Sequence, residues 1–311
     1  MKTEHIVPLE ERISHKPLSV QIKEALMDLS QAKNSGRICT GRIVALKELE
    51  DKERGKVICA SILYKGCVSV LIPAHLLIDK RIYPKQGDIQ RDKRLIMMRQ
   101  GSEVDFFIVQ VFEDEENLLN SLILGDRLAA MRQIRKNDLL PKGEEAFIKP
   151  GDIVEARITF VAAEKMGVEV RGFETILATH EITYDYYASL TDGFEAGEVI
   201  PLRVLSVQIT GEGPGKDVAA MKLTGKDIGI DNRDVALANL SIGSIIPCEV
   251  TGITKKLVFV QYLYAPWTIC CKPPKHFDTP MRFERVQVKI DKIDPIKKRI
   301  YGLIISAHGI R

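Results

Sequence analysis

Three segments share one pattern: a glycine followed by a strand in which polar and apolar residues alternate. They are Gly36-Arg-Ile-Cys-Thr-Gly-Arg-Ile, Gly151-Asp-Ile-Val-Glu-Ala-Arg-Ile and Gly243-Ser-Ile-Ile-Pro-Cys-Glu-Val. Alternation of this kind is typical of a strand with one buried face, and its recurrence at wide spacing indicates repeated structural units. The 311-residue chain has room for three small domains.

Each unit continues in the same order after its glycine-led strand. A third strand is predicted at Val68–His75, Glu174–His180 and Trp267–Lys272. After an irregular connection, a closing pair of strands is predicted at 101–111 with 118–122, 197–207 with 218–223, and 285–290 with 299–304. Three strands, a connection and two more strands make a five-stranded Greek-key barrel of the OB type. The fold class is therefore predicted as mainly β, with three tandem five-stranded OB-fold barrels.

Only two stretches have the apolar spacing of a helix. Residues 18–33 and 122–137 repeat apolar side chains three or four positions apart. The first predicts an N-terminal helix packed on the first barrel, and the second a helix that connects the first and second barrels. The predicted organisation is an N-terminal arm and helix (1–35), repeat 1 (36–122), connecting helix and linker (123–147), repeat 2 (148–228), linker (229–240) and repeat 3 (241–311).

The net charge of the chain is only +3, but it is unevenly distributed. Residues 242–311 hold twelve lysines and arginines against five acids, whereas residues 149–241 hold nine against fifteen. This asymmetry favours a polyanionic partner for the third repeat.

Several other classes of site find no support. The six cysteines form no Cys-x-x-Cys pair and lie mostly among β-branched residues, which favours small buried side chains over metal or redox chemistry. Gly211–Lys216 lacks the Ser or Thr of a phosphate loop and is predicted to form the tip of a hairpin. No catalytic residues, metal site or cofactor are predicted. The absence of a long apolar run and of a secretory leader predicts a cytoplasmic protein with no membrane partner.

The middle repeat also resembles a known family. The tract Lys165-Met-Gly-Val-Glu-Val-Arg-Gly-Phe-Glu-Thr-Ile-Leu-Ala-Thr-His-Glu-Ile182, followed by Gly197-Glu-Val, is similar to the S-one RNA-binding domain. That family is named after the large repeat protein of the bacterial small ribosomal subunit. The resemblance extends, less closely, to the other two repeats and implies RNA binding in a bacterial or phage setting.

In that family, aromatic residues usually occupy the second and third strands of the binding face. The corresponding positions here are Met166–Val168 and Ile176 in the second repeat and Val70 in the first. RNA binding is therefore expected mainly in the third repeat, where basic and aromatic residues are interleaved.

The predicted nucleic-acid-binding residues fall into two groups. The main group lies in the third repeat: Lys255, Lys256, Phe259, Tyr262, Tyr264, Trp267, Lys272, Lys275, His276 and Arg282. The second lies in a basic connection of the first repeat: Arg91, Lys93 and Arg94. Rings that stack on bases and a cationic rim that contacts phosphates are the chemistry expected of a single-strand site.

The expected partner is thus single-stranded RNA or DNA, with the ribosome or other proteins as further candidates. Two alternatives stay open: a structural or protein-interaction scaffold whose barrels have lost nucleic-acid binding, and an accessory subunit of a nuclease.

Overall fold

The computed structural model describes residues 17–51, 55–83, 88–114, 117–140, 147–211, 217–226, 228, 238, 240–254, 256–265 and 267–308. The chain divides into two compact units, residues 1–134 and 135–311. The fold is mainly β, with three five-stranded, barrel-like sheets consistent with tandem OB folds, as the sequence predicts.

The first unit contains a closed barrel with the strand order β1-β2-β3-β5-β4. Its strands are β1 (Cys39–Asp51), β2 (Gly55–Tyr64), β3 (Val68–Pro73), β4 (Glu103–Phe112) and β5 (Leu122–Asp126), and its short helices are α2 (Ala74–Leu77) and α3 (Ile89–Met97). Alternate residues of β4, namely Val104, Phe106 and Ile108, are buried, so the period-two pattern directs one face of the strand into the core.

Helix α1 (Leu18–Ser35) packs on this barrel. It buries Ile22, Ala25, Leu26 and Leu29, four apolar positions of the predicted helix, and also Ala32, whereas the fifth predicted position, Leu18, is exposed. The helix ends at Gly36, whose left-handed φ of 63° an L-residue would adopt only with strain.

The carboxylate of Asp28 ties α1 to the barrel and to the segment after the helix. It accepts a hydrogen bond from the Tyr64 hydroxyl at 2.5 Å and pairs with Arg37 and Lys65, each at 2.6 Å. These contacts hold the pKa of Asp28 below its ordinary value, mainly through Lys65 and Tyr64.

The prediction of a helix over residues 122–137 is wrong in its first turn. Residues Leu122–Asp126 form β5, which pairs with β4 from Phe112↔Leu122 to Phe107↔Asp126. The helix α4 covers Arg127–Ile134, and a π-helical turn follows at Arg135–Leu139. The leucines of this region satisfy both the helical and the strand period, and the ladder with β4 decides for the strand.

The predicted closing strand of the first repeat is therefore also wrong in position. Residues Leu118–Asn120, predicted to begin it, form a 3₁₀ turn instead. The strand thus lies four residues later than predicted and extends past residue 122.

The second unit begins with a five-stranded sheet whose order is β10-β9-β6-β7-β8. Its elements are β6 (Ile153–Val161), β7 (Lys165–Val170), β8 (Phe173–Ala178), α5 (Thr179–Ile182), β9 (Val199–Thr210) and β10 (Asp217–Thr224), with a 3₁₀ turn at Leu190–Asp192. The sheet is barrel-like but, within the described ranges, no ladder joins its edge strands β8 and β10.

A buried arginine bridges this open seam. The guanidinium of Arg135 donates to the carbonyl oxygen of Gly172, just before β8, at 2.6 Å. It also pairs with Asp217, the first residue of β10, at 2.9 Å. One side chain thus connects the two edges that no ladder joins.

The remaining sheet is a closed barrel in the order β11-β12-β13-β15-β14. Its strands are β11 (Ile245–Ile253), β12 (Val258–Tyr262), β13 (Thr268–Lys272), β14 (Arg285–Asp294) and β15 (Arg299–His308). Cys248 and Cys271 are fully buried in its core, and burial raises the pKa of Cys248 to about 12. Across the part of the chain that the structure describes, no three His, Cys, Asp or Glu side chains gather as a metal site requires.

Among the residues that the structure describes, no helix is both long enough and apolar enough to cross a bilayer.

Candidate nucleic-acid interface

Within the second unit, the segment Thr183–Tyr187 of the second barrel lies against strands β12 and β13 of the third. The ring of Tyr186 stacks on that of Phe259, with centroids 3.8 Å apart and an interplanar angle of 0°. The same ring covers Gly252, where a Cβ would come within 2.0 Å of its Cε1 atom. Because Gly252 pairs with Phe259 in the β11–β12 ladder, these two residues together form the surface on which Tyr186 packs.

Hydrogen bonds hold the same segment in place. The backbone N–H of Thr268 donates to Oδ1 of Asp185 at 3.1 Å, and the backbone N–H of Tyr186 donates to the Thr268 hydroxyl at 3.0 Å. An exposed ion pair between Asp192 and Arg282, at 2.7 Å, adds a second point of attachment between the two barrels. Stacking, two hydrogen bonds and an ion pair therefore fix the second barrel to the third.

The junction encloses a groove of about 880 Å³. Its floor on the third barrel follows from strand alternation: Val258 and Val260 of β12 point into the core, which places Phe259 outside. On β13, Ile269 and Cys271 point inward, which places Cys270 in the groove. Strands 2 and 3 form the ligand-binding face of many OB folds, and here they form one wall of the groove.

Aromatic rings from both barrels line the groove. The second barrel contributes Tyr184, Tyr186 and Tyr187, and the third contributes Phe259 and Tyr301. Tyr187 also packs on the core of its own barrel and on Phe194, with ring centroids 5.5 Å apart. Burial, with Asp185 and Glu198 nearby, raises the pKa of Tyr187, so this phenol stays neutral at physiological pH.

The groove also carries positive charge, supplied from two directions. Lys297, from the turn between β14 and β15, and Arg299, the first residue of β15, line it, and so does Lys226, just after β10. Two carboxylates, Glu164 and Asp185, are also present. In OB folds the loop between strands 4 and 5 flanks the ligand face, and in this barrel that loop carries Lys297 and Lys298.

The predicted site residues of the third repeat are distributed over several places. Phe259 lies in the groove, where Tyr186 covers one face of its ring. Arg282 lies at the junction of the barrels, paired with Asp192 and 4.7 Å from the ring centroid of Phe283.

Three other predicted aromatics come together away from the groove lining. Tyr262 lies 5.6 Å from Trp267 and 5.5 Å from Tyr264, measured between ring centroids. Tyr262 and Trp267 pack on the core of the barrel, whereas Tyr264 is 78% exposed. Trp267 and Tyr262 thus contribute to the fold of the third barrel itself.

The predicted basic residues are mostly on open surface. Lys256, Lys272, Lys275 and His276 are exposed and do not line the groove, and Lys255 lies outside the described residues. Arg91, Lys93 and Arg94 lie together on α3 of the first unit, where Lys93 pairs with Glu48.

The sequence does contain a signal for the groove residues that were not predicted. Three of the eight tyrosines fall within four residues, in Tyr184-Asp-Tyr-Tyr187, and the run Lys297-Lys-Arg299 is the densest basic run of the third repeat. The sequence alone does not show that the two runs meet, because their proximity depends on how the two barrels pack.

Comparisons with known proteins give little further information. No family model matches the chain, and no curated protein matches it. Among solved structures, a multidomain protein with nucleic acid binding domains from Streptococcus pneumoniae TIGR4 is 9% identical, with a TM-score of 0.20. The match covers 86% of this chain and 73% of that one.

A second structure, Drosophila Unr CSD456, is 11% identical with a TM-score of 0.18, and the match covers 88% of this chain and 98% of that one. Both similarities are too weak to assign a family or a function.

Proposed function

We propose that the chain binds single-stranded nucleic acid in the groove between the second and third barrels, and that it acts by binding rather than by catalysis. One observation carries the proposal: aromatic rings and basic side chains meet on the strand 2 and 3 face of an OB barrel, beside its basic loop. Single strands are bound by this combination of stacking surfaces and cations.

The two kinds of side chain have separate tasks. Tyr301 offers ring surface to bases, and each base–aromatic stack contributes ~1–3 kcal/mol. Lys297 and Arg299 neutralise phosphates and release the counterions condensed on the strand. The carboxylate of Glu164 can accept hydrogen bonds from base amino groups.

RNA is the strand that the resemblance to the S-one domain favours over DNA. Discrimination between the two requires contact with the 2′-hydroxyl. Polar groups suited to such a contact, including Thr183 and His180, line the groove.

A scaffold function is the second candidate, and the stacked pair Tyr186 and Phe259 favours it. A base cannot occupy the face of Phe259 that Tyr186 already covers. In the scaffold account, the junction exists to hold two barrels in a fixed arrangement for a protein partner.

Fluorescence anisotropy separates the two accounts. Labelled single-stranded RNA, single-stranded DNA and duplex DNA of equal length are titrated with the protein from 25 to 300 mM salt, a range of about tenfold chosen because single-strand affinity depends steeply on salt. We expect both single strands to bind better than the duplex, RNA more tightly than DNA, and affinity to fall steeply with salt. Failure of every strand to bind at the lowest salt would leave the scaffold account.

A further inference from the structure

One ring in the groove gathers two ammonium groups from different barrels. Nζ of Lys226, which follows β10 of the second barrel, lies 4.6 Å from the centroid of the Tyr184 ring. Nζ of Lys298, in the turn between β14 and β15 of the third barrel, lies 5.7 Å from the same centroid. Cations are attracted to the face of an aromatic ring at such distances, so Tyr184 positions both.

The surroundings of this ring add to the positive potential. Lys297 and Arg299 flank Lys298 in sequence and line the groove. Asp185, next to Tyr184 in sequence, accepts hydrogen bonds from the Thr268 N–H at Oδ1 and from the Thr183 hydroxyl at Oδ2. An anion bound beside this ring gains from the summed attraction of the surrounding cations.

We propose that Tyr184, Lys226 and Lys298 form a subsite for one backbone phosphate of the strand bound in the groove. The inference rests on the proposed function and deepens it, because it assigns one phosphate to a site shared by both barrels. Lysine binds phosphate as a point charge, so two lysines from opposite walls hold the phosphate at the junction. The strand thereby crosses from one barrel to the other at this point.

A double-mutant cycle tests whether the two lysines act on the same phosphate. Lys226→Gln removes one charge. Lys298→Asn removes the other and suits the backbone, since Lys298 has a left-handed φ of 50°, which asparagine tolerates better than most residues. Lys222→Gln, on β10 and exposed, is the matched control because it does not line the groove.

We expect each single variant to bind labelled single-stranded RNA about fivefold more weakly at 0.1 M salt, the loss of about one phosphate contact. The double variant should depart from the product of the two single losses by about threefold or more, since groups that share a partner are not additive. Lys222→Gln should bind like the unmodified protein. Additive losses would overturn the shared subsite.

Tyr184 is a positioning residue in this account and has its own readout. Tyr184→Leu should reduce both the affinity and the coupling between the two lysines, whereas Tyr184→Phe, which keeps the ring, should retain both. Equal losses in the two variants would contradict a role for the ring face. Thermal unfolding of each variant identifies any loss that results from misfolding.

A chemical probe locates the phosphate. One uncharged methylphosphonate linkage is placed at each position of the strand in turn. At one position it should abolish the effect of both Lys226→Gln and Lys298→Asn on affinity. If the effects of the two substitutions disappeared at different positions, the inference would be overturned while groove binding stayed intact. If the unmodified protein bound no strand at low salt, both the subsite and the proposed function would fail.

Discussion

Tyr186 of the second barrel and Phe259 of the third stack face to face, with ring centroids 3.8 Å apart. This contact makes the two barrels one platform and fixes the shape of the groove beside it. An intramolecular stack of this kind contributes ~0.5–1.5 kcal/mol beyond its buried area, and each accompanying hydrogen bond adds ~0.5–1.5 kcal/mol. A base gains ~1–3 kcal/mol by stacking, less than the existing stack, the buried area of its two rings and both hydrogen bonds contribute together. We therefore expect the junction to stay closed when a strand binds.

The first prediction concerns this junction. Tyr186→Ala should lower the free energy of unfolding of the third barrel by about 2 kcal/mol, whereas Tyr186→Phe, which preserves the ring, should cost less than ~0.5 kcal/mol. The only tryptophan of the chain, Trp267, packs on the core of that barrel and reports its unfolding by fluorescence. Tyr264→Ala is the control, since this exposed ring lies outside the junction. An unchanged urea midpoint for Tyr186→Ala would show that the stack does not couple the barrels.

Arg135 provides the second prediction. Its side chain is 4% exposed, and the guanidinium bridges the edges of the open sheet through Gly172 and Asp217. Breaking a fully buried pair costs ~3–5 kcal/mol, and because Asp217 is 41% exposed, Arg135→Met should cost about 2–3 kcal/mol.

Chemical denaturation followed by circular dichroism measures this cost. Arg132→Met, at an exposed position of α4, removes the same charge from a neighbouring position as the control. Equal stability of the Arg135 and Arg132 variants would show that the seam is sealed by other contacts.

The third prediction is a pH dependence in the first unit. The pKa of Asp28 is lowered in the folded protein by Lys65, Tyr64 and Arg37. A carboxyl group with a depressed pKa stabilises the fold above its unfolded value, about 4, and loses this contribution as pH falls through the folded value. Stability should therefore fall as the pH drops below about 5 into the acid range, and Asp28→Asn should weaken this dependence while lowering stability at pH 7.

Thermal unfolding across this pH range, for the unmodified protein and for Asp28→Asn, measures the difference. Glu24→Gln, on the same helix but exposed, serves as the control for the removal of one acid. Parallel curves for the unmodified protein and Asp28→Asn would contradict a role for Asp28 in the acid dependence.

Much of the fold follows from local pattern, whereas the groove does not. The period-two alternation of β4 or β12 identifies the strand and its buried face directly. The region around Leu122 and Leu124 fits two periods at once, and the pairing with β4 that decides between them is not local. Phe259 is identifiable as an outward-facing aromatic residue, but Tyr186, which covers it, comes from another barrel.

Trp267 is a residue that the sequence predicts as part of the binding site but that does not line the groove. Its place among basic and aromatic residues indicates a binding platform, but its ring packs on the core of the third barrel. Composition cannot distinguish a ring that supports the barrel from one that contacts a ligand, because both occur in the same short segment. The groove residues become apparent only when the second and third barrels are seen together.

Cysteine reactivity gives a fourth prediction, a footprint of the bound strand. Cys270 is half-buried and lines the groove, whereas Cys67 is half-buried in the first unit. Cys59 and Cys248 are buried, which raises the pKa of their thiols to about 11 and about 12, so both should react slowly with alkylating reagents. Single-stranded RNA should slow the alkylation of Cys270 and leave that of Cys67 unchanged, as measured by mass spectrometry of the peptides. Equal protection of the two thiols would argue against binding in the groove.

The most direct test of the account is to remove the charge of the groove loop and to follow the salt dependence of binding. Lys297→Ala with Arg299→Ala should reduce the slope of log affinity against log salt for single-stranded RNA by about 1.4, which corresponds to a loss of about 25-fold at 0.1 M salt. Arg285→Ala with Lys289→Ala removes the same charge from exposed positions of β14 outside the groove and should leave the slope unchanged. Equal slopes for the two double variants would contradict the proposal that the strand lies in this groove.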